Sequence, residues 1–402
     1  MTTIERRKTR QVRIGNVLVG GDAPIVVQSM CDTDTKDVEA TVAQILALEE
    51  AGCEVIRVAA PTREAAQAIG RIKARIHIPL VADIHFDYLL ALEAIAQGAD
   101  KIRINPGNIL YRDGMQGVQK VVDACRDRGL PIRVGVNAGS IDKRLLDKYG
   151  YPSPEAAVES ATGYVRLLEE LDFHDIIISV KFSDVPQMVR AYRLLSQQVD
   201  YPLHLGVTES GTAWTGAIKS SVGIGTLLYD GIGDTLRVSL NTPDKTDEVK
   251  VAYEILKSLE IRAHGPVLTA CPSCGRAEVD QVALANSVEQ ALQGVKKQLR
   301  VAVMGCVVNG PGEAAGSDLA VVGGKDAVMI YKQGRPVRRV PQDKAVAALL
   351  DEIERFEAPA GQAEVAAAVP GERRYAPRQA KPGQVHGHDE VIQFLEKIPP
   401  RR

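Results

Sequence analysis

The residues of this chain best suited to chemistry are three cysteines and a glutamate set in Gly/Pro-rich turns. Cys271-Pro272-Ser273-Cys274-Gly275-Arg276 opens the stretch, and Gly305-Cys306-Val307-Val308-Asn309-Gly310-Pro311-Gly312-Glu313 closes it, with one helix-length segment between them. A Cys-x-x-Cys turn aims two thiolates at a single metal-sized volume. The small residues around it leave backbone N–H groups available to inorganic sulfide. An iron–sulfur cluster on Cys271, Cys274, Cys306 and Glu313 is therefore the leading reading. Zinc also accepts such a turn but usually takes a second pair, and here one further cysteine stands without a neighbour at that spacing. Cysteines buried for packing alone are the third reading.

A second set of polar residues falls at the ends of short apolar runs. Eight such runs alternate with helix-length segments: 25–30, 55–60, 80–86, 101–106, 132–137, 176–181, 203–208 and 235–240. The intervening segments carry helical periodicity, as at Val38, Val42, Ile45 and Leu46 or at Val185, Met188, Val189 and Tyr192, and Ser153-Pro154 is a helix start. Eight strand–helix units in about 240 residues are the sequence form of an α/β fold of the (β/α)8 TIM-barrel type. A doubly wound open sheet is the alternative, but no Gly-x-Gly-x-x-Gly follows the first strand.

In a barrel the C-terminal strand ends converge on one mouth. Arg57, Arg103, Arg133, Lys181 and Arg237 would meet there, opposed by Asp83 and Glu209, with Asn105, Asn137 and Ser239 beside them. Five cations suit a small, highly anionic ligand such as a diphosphate, although any one of them could equally serve an internal ion pair. His85 is suited to donating a proton or binding substrate, or to a structural hydrogen bond. Glu209 could act as a general acid if a low-dielectric mouth raised its proton affinity; otherwise it pairs with a neighbouring cation.

Composition narrows the classes. The 402 residues carry a net charge of −2, with 45% apolar and 25% charged residues, which argues against a general nucleic-acid or membrane-surface role. No apolar run approaches a membrane span, and MTTIERRKTRQ lacks the apolar core of an export signal, so a cytoplasmic protein is expected. Cys31, Cys53 and Cys125 are scattered and read as small core residues of a reducing compartment.

The expected division is a barrel over 1–262, a smaller α+β iron–sulfur unit over 263–357 entered through His264-Gly265-Pro266, and an Ala/Pro/Gly-rich flexible tail over 358–402. Within that tail, 389–398 has the pattern of a short terminal helix.

In order along the chain, VQSM, VADIHFDY, RINPGN, GVNAGS, SVK, HLGVTE, GIGDTLRVSL, CPSCGR and GCVVNGPGEA cover nearly everything before the tail. On these fragments the chain resembles the bacterial 4-hydroxy-3-methylbut-2-enyl diphosphate synthases of the non-mevalonate isoprenoid pathway. The resemblance implies a TIM barrel followed by a sulfite-reductase-like domain, with a 4Fe-4S cluster on Cys271, Cys274, Cys306 and Glu313. It implies that 2-C-methyl-D-erythritol 2,4-cyclodiphosphate binds through positions matching Arg57, Asp83, His85, Arg103, Asn105, Arg133, Asn137, Lys181, Glu209, Arg237 and Ser239. It further implies flavodoxin or ferredoxin as electron donor, and a homodimer. Three sites depart from the family pattern. Cys31-Asp32 stands where Thr-Asn is common, Phe182-Ser183 where a small residue comes first, and Ser210 where Ala is usual.

Overall fold

The computed structural model describes residues 4–141 and 143–357. The expected tail and its terminal helix lie outside the described residues. Two compact units divide between Arg262 and Ala263, and each is described by itself.

The first unit opens with an antiparallel hairpin, β1 (Val12–Ile14) and β2 (Val17–Val19), turned at Gly15, whose φ of +55° suits a residue without a Cβ. Eight parallel strands follow: β3 (Val26–Met30), β4 (Val55–Ala59), β5 (Leu80–Asp83), β6 (Lys101–Ile104), β7 (Ile132–Asn137), β8 (Ile176–Lys181), β9 (His204–Leu205) and β10 (Thr235–Leu236). Their spatial order is β8-β7-β6-β5-β4-β3-β10-β9, and a parallel bridge between Ile178 and Leu203 links the two ends. The arrangement is a nearly closed TIM barrel with helices between the strands. β9 and β10 keep only two ladder residues each, although the apolar runs around them are six long.

Side-chain alternation sorts the strand residues. Ile102, Ile104, Ile132, Val134, Val136, Ile178 and Val180 join the large core shared with the helices. The residues between them are Lys101, Arg103, Arg133, Gly135, Ser179 and Lys181, which a period of two turns to the interior. Below this polar layer, Val26, Val55, Val81 and Ile177 form an apolar cluster with Val12, Ile14 and Val19 of the hairpin. The hairpin thus closes the barrel opposite to the mouth. Cys53 and Cys125 are core residues, and burial pushes both thiols up to about 12, so they are inert.

The helices match their sequence patterns with small shifts. Ser153 Oγ accepts from Ala156 N (3.1 Å) at the start of Pro154–Glu170. In Val38–Glu50 it is Leu48 rather than Leu46 that completes the buried face, because the stripe follows Val38, Val42 and Ile45 at steps of three and four.

The second unit is a five-stranded mixed sheet ordered β11 (Val267–Ala270), β12 (Arg300–Met304), β13 (Leu319–Gly324), β14 (Ala327–Lys332) and β15 (Arg335–Val340). β11, β12 and β13 run parallel, and the last three form an antiparallel meander. Helices Gln281–Leu292 and Ala345–Glu354 cover its core. No described helix is long and apolar enough to cross a membrane.

If the hairpin is the barrel's floor, Ile14→Ala should cost about 2–4 kcal/mol. It should lower the urea midpoint without weakening pyrophosphate binding at the far end; an unchanged midpoint would refute the floor.

Candidate active site

The barrel interior collects charge. Arg57, Lys101, Arg103, Arg133 and Lys181 are all buried, and Arg237 nearly so, while the acids among them are Asp83 and Glu248. Arg103 Nη1 donates to Asp83 Oδ1 (2.9 Å), and Arg57 Nε stands 3.7 Å from Asp83 Oδ2. Burial works against the Asp83 charge, but Arg57, Arg103 and Arg133 outweigh it and hold the carboxyl well below the usual range. Arg237 spreads its fork over Glu248, Nε to Oε2 (3.2 Å) and Nη2 to Oε1 (3.0 Å), and sends Nη1 to Ser239 Oγ (2.6 Å).

Other donors are poorly satisfied. Arg57 points Nε and Nη2 at the Met30 thioether (3.0 and 2.7 Å), a weak acceptor. Arg133 donates Nη1 to Ser179 Oγ (2.8 Å) and leaves buried Nε and Nη2 unpartnered, as are Arg103 Nε and Gln28 Nε2. Each such group costs about 1–3 kcal/mol while it lacks an acceptor. Even without the two lysines, four guanidiniums face two carboxylates, so the interior is short of negative charge by at least two.

That shortage depresses the bases. Burial, and then Arg133 and Arg57, hold Lys181 and Lys101 well below the usual lysine range. Burial, with Lys181 and Arg133 next, does the same to His204. Burial also lowers His85 at the rim, where Asp83 opposes the shift and Arg103 and Arg57 add to it. Arginine keeps its proton under such pressure, so the strain falls on the lysines and histidines.

The glycines make room for these cations. A Cβ on Gly135 would lie 2.6 Å from Arg103 Nε, and one on Gly206 would lie 2.6 Å from Lys181 Nζ. Arg103 cannot swing aside cheaply while Asp83 holds its other edge.

At the rim, Asn105 caps the helix Pro106–Arg128 through Gly107 N (3.1 Å) and gives Nδ2 to Ser140 O (3.1 Å). Asn137 ends β7, with its backbone N–H on Ser140 Oγ (3.0 Å). His85 is exposed, its Nε2 3.5 Å from Arg103 Nη1 and 3.8 Å from Asp83 Oδ2. Glu209 is exposed just beyond β9 with a φ of +51°, a left-handed backbone strained for a non-glycine residue. Ser210 holds that loop by donating to Ser239 O, and Gly211 O accepts from Asn241 N (3.0 Å). The departures from the family pattern are accommodated locally. Cys31 and Phe182 are buried, and Asp32 turns outward to Gln44 Nε2 (2.6 Å). Sequence reading missed Lys101, His204 and Glu248: two stand at strand starts rather than strand ends, and the third lies on a helix.

In the second unit, Cys271 directly follows β11 and Cys306 lies two residues beyond β12, on neighbouring parallel strands with Ala270 opposite Val303. Gln281 Nε2 ties the two loops by donating to Cys271 O (3.2 Å) and Val303 O (2.9 Å). Glu278 N donates to Gly305 O (2.9 Å). Ser273, at φ +69°, gives its N–H to Cys271 Sγ (3.4 Å), the donor that a thiolate ligand wants. Gly310 packs so closely on β13 that a Cβ would meet Val322, which seats the short helix Gly310–Gly316 carrying Glu313. Ala314 of that helix and Cys271 belong to one small apolar cluster.

All three thiols are free. Among the described residues no three His, Cys, Asp or Glu side chains converge on one metal-ion position. A cubane offers a separate iron to each ligand, so its ligands need not converge on one point. Three free thiols, a carboxylate and an N–H···S contact suit that group.

The profile of the GcpE TIM-barrel domain matches residues 9–253, and that of the GcpE protein C-terminal domain matches residues 267–355. The chain belongs to the GcpE family. It is 57% identical over 352 residues to the protein of Symbiobacterium thermophilum named 4-hydroxy-3-methylbut-2-en-1-yl diphosphate synthase (flavodoxin), covering 88% of this chain and 94% of that one. The protein of the same name from Geobacter sulfurreducens is 55% identical over 351 residues, covering 87% of this chain and 98% of that one. Both GcpE matches agree with the barrel and the separate sheet unit.

Two outcomes follow from the cation-rich interior. Gly135→Ala should displace Arg103 and weaken inorganic pyrophosphate binding by about tenfold in calorimetric titration; unchanged affinity would show that Arg103 is not part of an anion site. The second concerns protons. Lys101, Lys181 and His204 have lowered proton affinity in the free fold, so the unfolded chain binds more protons and the free barrel loses stability as pH falls below their ordinary values. A bound anion relieves the crowding and draws protons in. Pyrophosphate binding near neutral pH should therefore take up protons and weaken as pH rises. Titration enthalpies that are identical in buffers of different ionisation enthalpy would contradict this.

Proposed function

We propose that this chain catalyses reductive ring opening and dehydration of 2-C-methyl-D-erythritol 2,4-cyclodiphosphate to (E)-4-hydroxy-3-methylbut-2-enyl diphosphate. Two electrons and two protons enter and one water leaves. The observation that carries the reading is the buried positive excess of the barrel, with unpartnered guanidinium N–H groups on Arg133 and Arg103. Both phosphates of the cyclic substrate are bridged, so each bears a single ionised oxygen, and together they bring two negative charges to that excess.

In this reading Arg57, Arg103, Arg133, Lys181 and Arg237 grip the diphosphate, with Asn105, Asn137 and Ser239 completing its hydrogen bonds. Arg57 exchanges the Met30 thioether for a phosphate oxygen. Asp83 keeps Arg57 and Arg103 side by side. Ring opening turns a bridged phosphate into a terminal one that can carry more charge, and the lysines can compensate by protonation. Holding the anion fixed orients the carbon skeleton toward the rim, where Glu209 and His85 stand, and Glu209 protonates the departing hydroxyl.

Cys271, Cys274, Cys306 and Glu313 would hold a 4Fe-4S cluster, which when bound supplies electrons singly at low potential. The Glu313 oxygen is the hard donor of the set and the most readily exchanged. Flavodoxin, which the relatives' names include, or ferredoxin is the electron donor in this reading. A homodimer in the cytoplasm completes it.

Anaerobically purified protein should be brown, with about four irons and as many sulfides per chain, and should turn over the cyclodiphosphate with reduced flavodoxin. A colourless protein holding zinc would overturn the reading. Glu209→Gln should slow single turnover by about a hundredfold at unchanged iron content; full single-turnover activity would remove Glu209 from the proton step.

A further inference from the structure

Among the described residues, Glu248 is the one buried acid of the barrel interior that no strand supplies. It sits near the start of the helix Thr246–Ser258 and is 1% exposed. Four donors saturate it. Oε1 accepts from Arg237 Nη2 (3.0 Å) and Leu240 N (3.0 Å), and Oε2 accepts from Arg237 Nε (3.2 Å) and Ser29 Oγ (3.1 Å). Lys245 Nζ stands 3.6 Å from Oε1 and donates to Leu240 O (2.9 Å). One carboxylate thus joins β3, the segment after β10 and the last barrel helix where the first and last parallel strands pair.

The geometry is that of an orienting clamp. Two parallel N–H···O bonds fix the plane of the guanidinium as well as its position. They consume the Nε edge of Arg237 and leave Nη1, which donates to Ser239 Oγ (2.6 Å), on the other side of the fork. Asp83, by contrast, accepts a single bond from Arg103 (2.9 Å) and stands 3.7 Å from Arg57, so the paired-bond clamp belongs to Glu248. Leu240 N, bonded to the same oxygen, carries the arrangement into the loop whose carbonyl at Ser239 accepts from Ser210, next to Glu209.

We propose that Glu248 is a positioning residue for anion binding: through its paired bonds to Arg237, and with Ser29 and Leu240 as its own supports, it fixes the direction in which Arg237 receives a substrate phosphate. The proposal rests on the diphosphate reading above. In Glu248→Gln an amide N–H₂ must face donors that the carboxylate accepted, so Arg237 loses its plane while keeping its charge.

The test uses whole, cluster-loaded protein with two readouts. Glu248→Gln should raise KM for the cyclodiphosphate and the Kd for inorganic pyrophosphate together, each by about tenfold or more, with kcat changed only a few-fold. In an Arg237→Ala background the same substitution should add nothing to either, because Glu248 acts through Arg237. Ser29→Ala, which removes one of the four bonds, should shift both constants the same way by about two- to fivefold, and it stands in if Glu248→Gln does not fold. A fall in thermal midpoint with unchanged KM and Kd would overturn the proposal and leave Glu248 a structural residue. Effects that simply add in the double variant would overturn it too. Pyrophosphate binding needs no turnover, so a wild-type protein that binds pyrophosphate tightly yet leaves the cyclodiphosphate untouched would fail the catalytic reading and not this one.

Discussion

Burying cations faster than they can be neutralised is the constraint on which the barrel unit depends. Desolvating a guanidinium is costly unless a carboxylate or phosphate receives its N–H groups. Asp83 and Glu248 receive some of them, and Met30 and Ser179 are makeshift partners for others. The remainder finds no acceptor within the protein. The fold tolerates that because its stability is supplied elsewhere, by the apolar belt between strands and helices and by the floor under the hairpin. A polar layer is thus held between two apolar ones, and in the proposed reading an anion completes it. Selectivity follows from the same shortage, since a ligand must bring charge as well as shape.

The second unit solves a different problem, holding three free cysteines in loops without a disulfide. Parallel pairing of β11 with β12 sets two cysteine-bearing turns side by side, and Gln281 fastens them from behind through both backbones. Close packing of Gly310 on β13 seats the carboxylate-bearing turn. None of these devices touches a thiol; the Ser273 N–H donates to Cys271 Sγ, Cys274 is exposed, Cys271 half-buried and Cys306 buried. Cys53 and Cys125, by contrast, have been made unreactive by burial.

Much of this was legible beforehand because polar residues stand in or just after apolar runs such as 101–106 and 132–137, and a barrel brings the C-terminal ends of such runs to one mouth. The strand ends, the Ser153 cap and the Cys/Glu turns are local signals of the same kind. Glu248 was not legible: it lies eleven residues past Arg237, on a helix whose other inward residues are apolar, and only barrel closure brings it to β3. Lys101 and His204 escaped because each opens its strand, where a charged residue ordinarily marks a solvated edge. Leu46 was misassigned because three- and four-residue steps both fit its helix, and only packing chose between them.

The central claim is that the free barrel holds unmet positive charge which a cyclic diphosphate completes. Thermal unfolding with increasing 2-C-methyl-D-erythritol 2,4-cyclodiphosphate, at constant ionic strength and without reductant, tests it most directly. A ligand that binds only the folded barrel must raise the midpoint progressively with the logarithm of its concentration, and the account predicts that rise, together with its loss when Arg133 is replaced by Met. A midpoint indifferent to the cyclodiphosphate, or a rise that survives Arg133→Met undiminished, would contradict it.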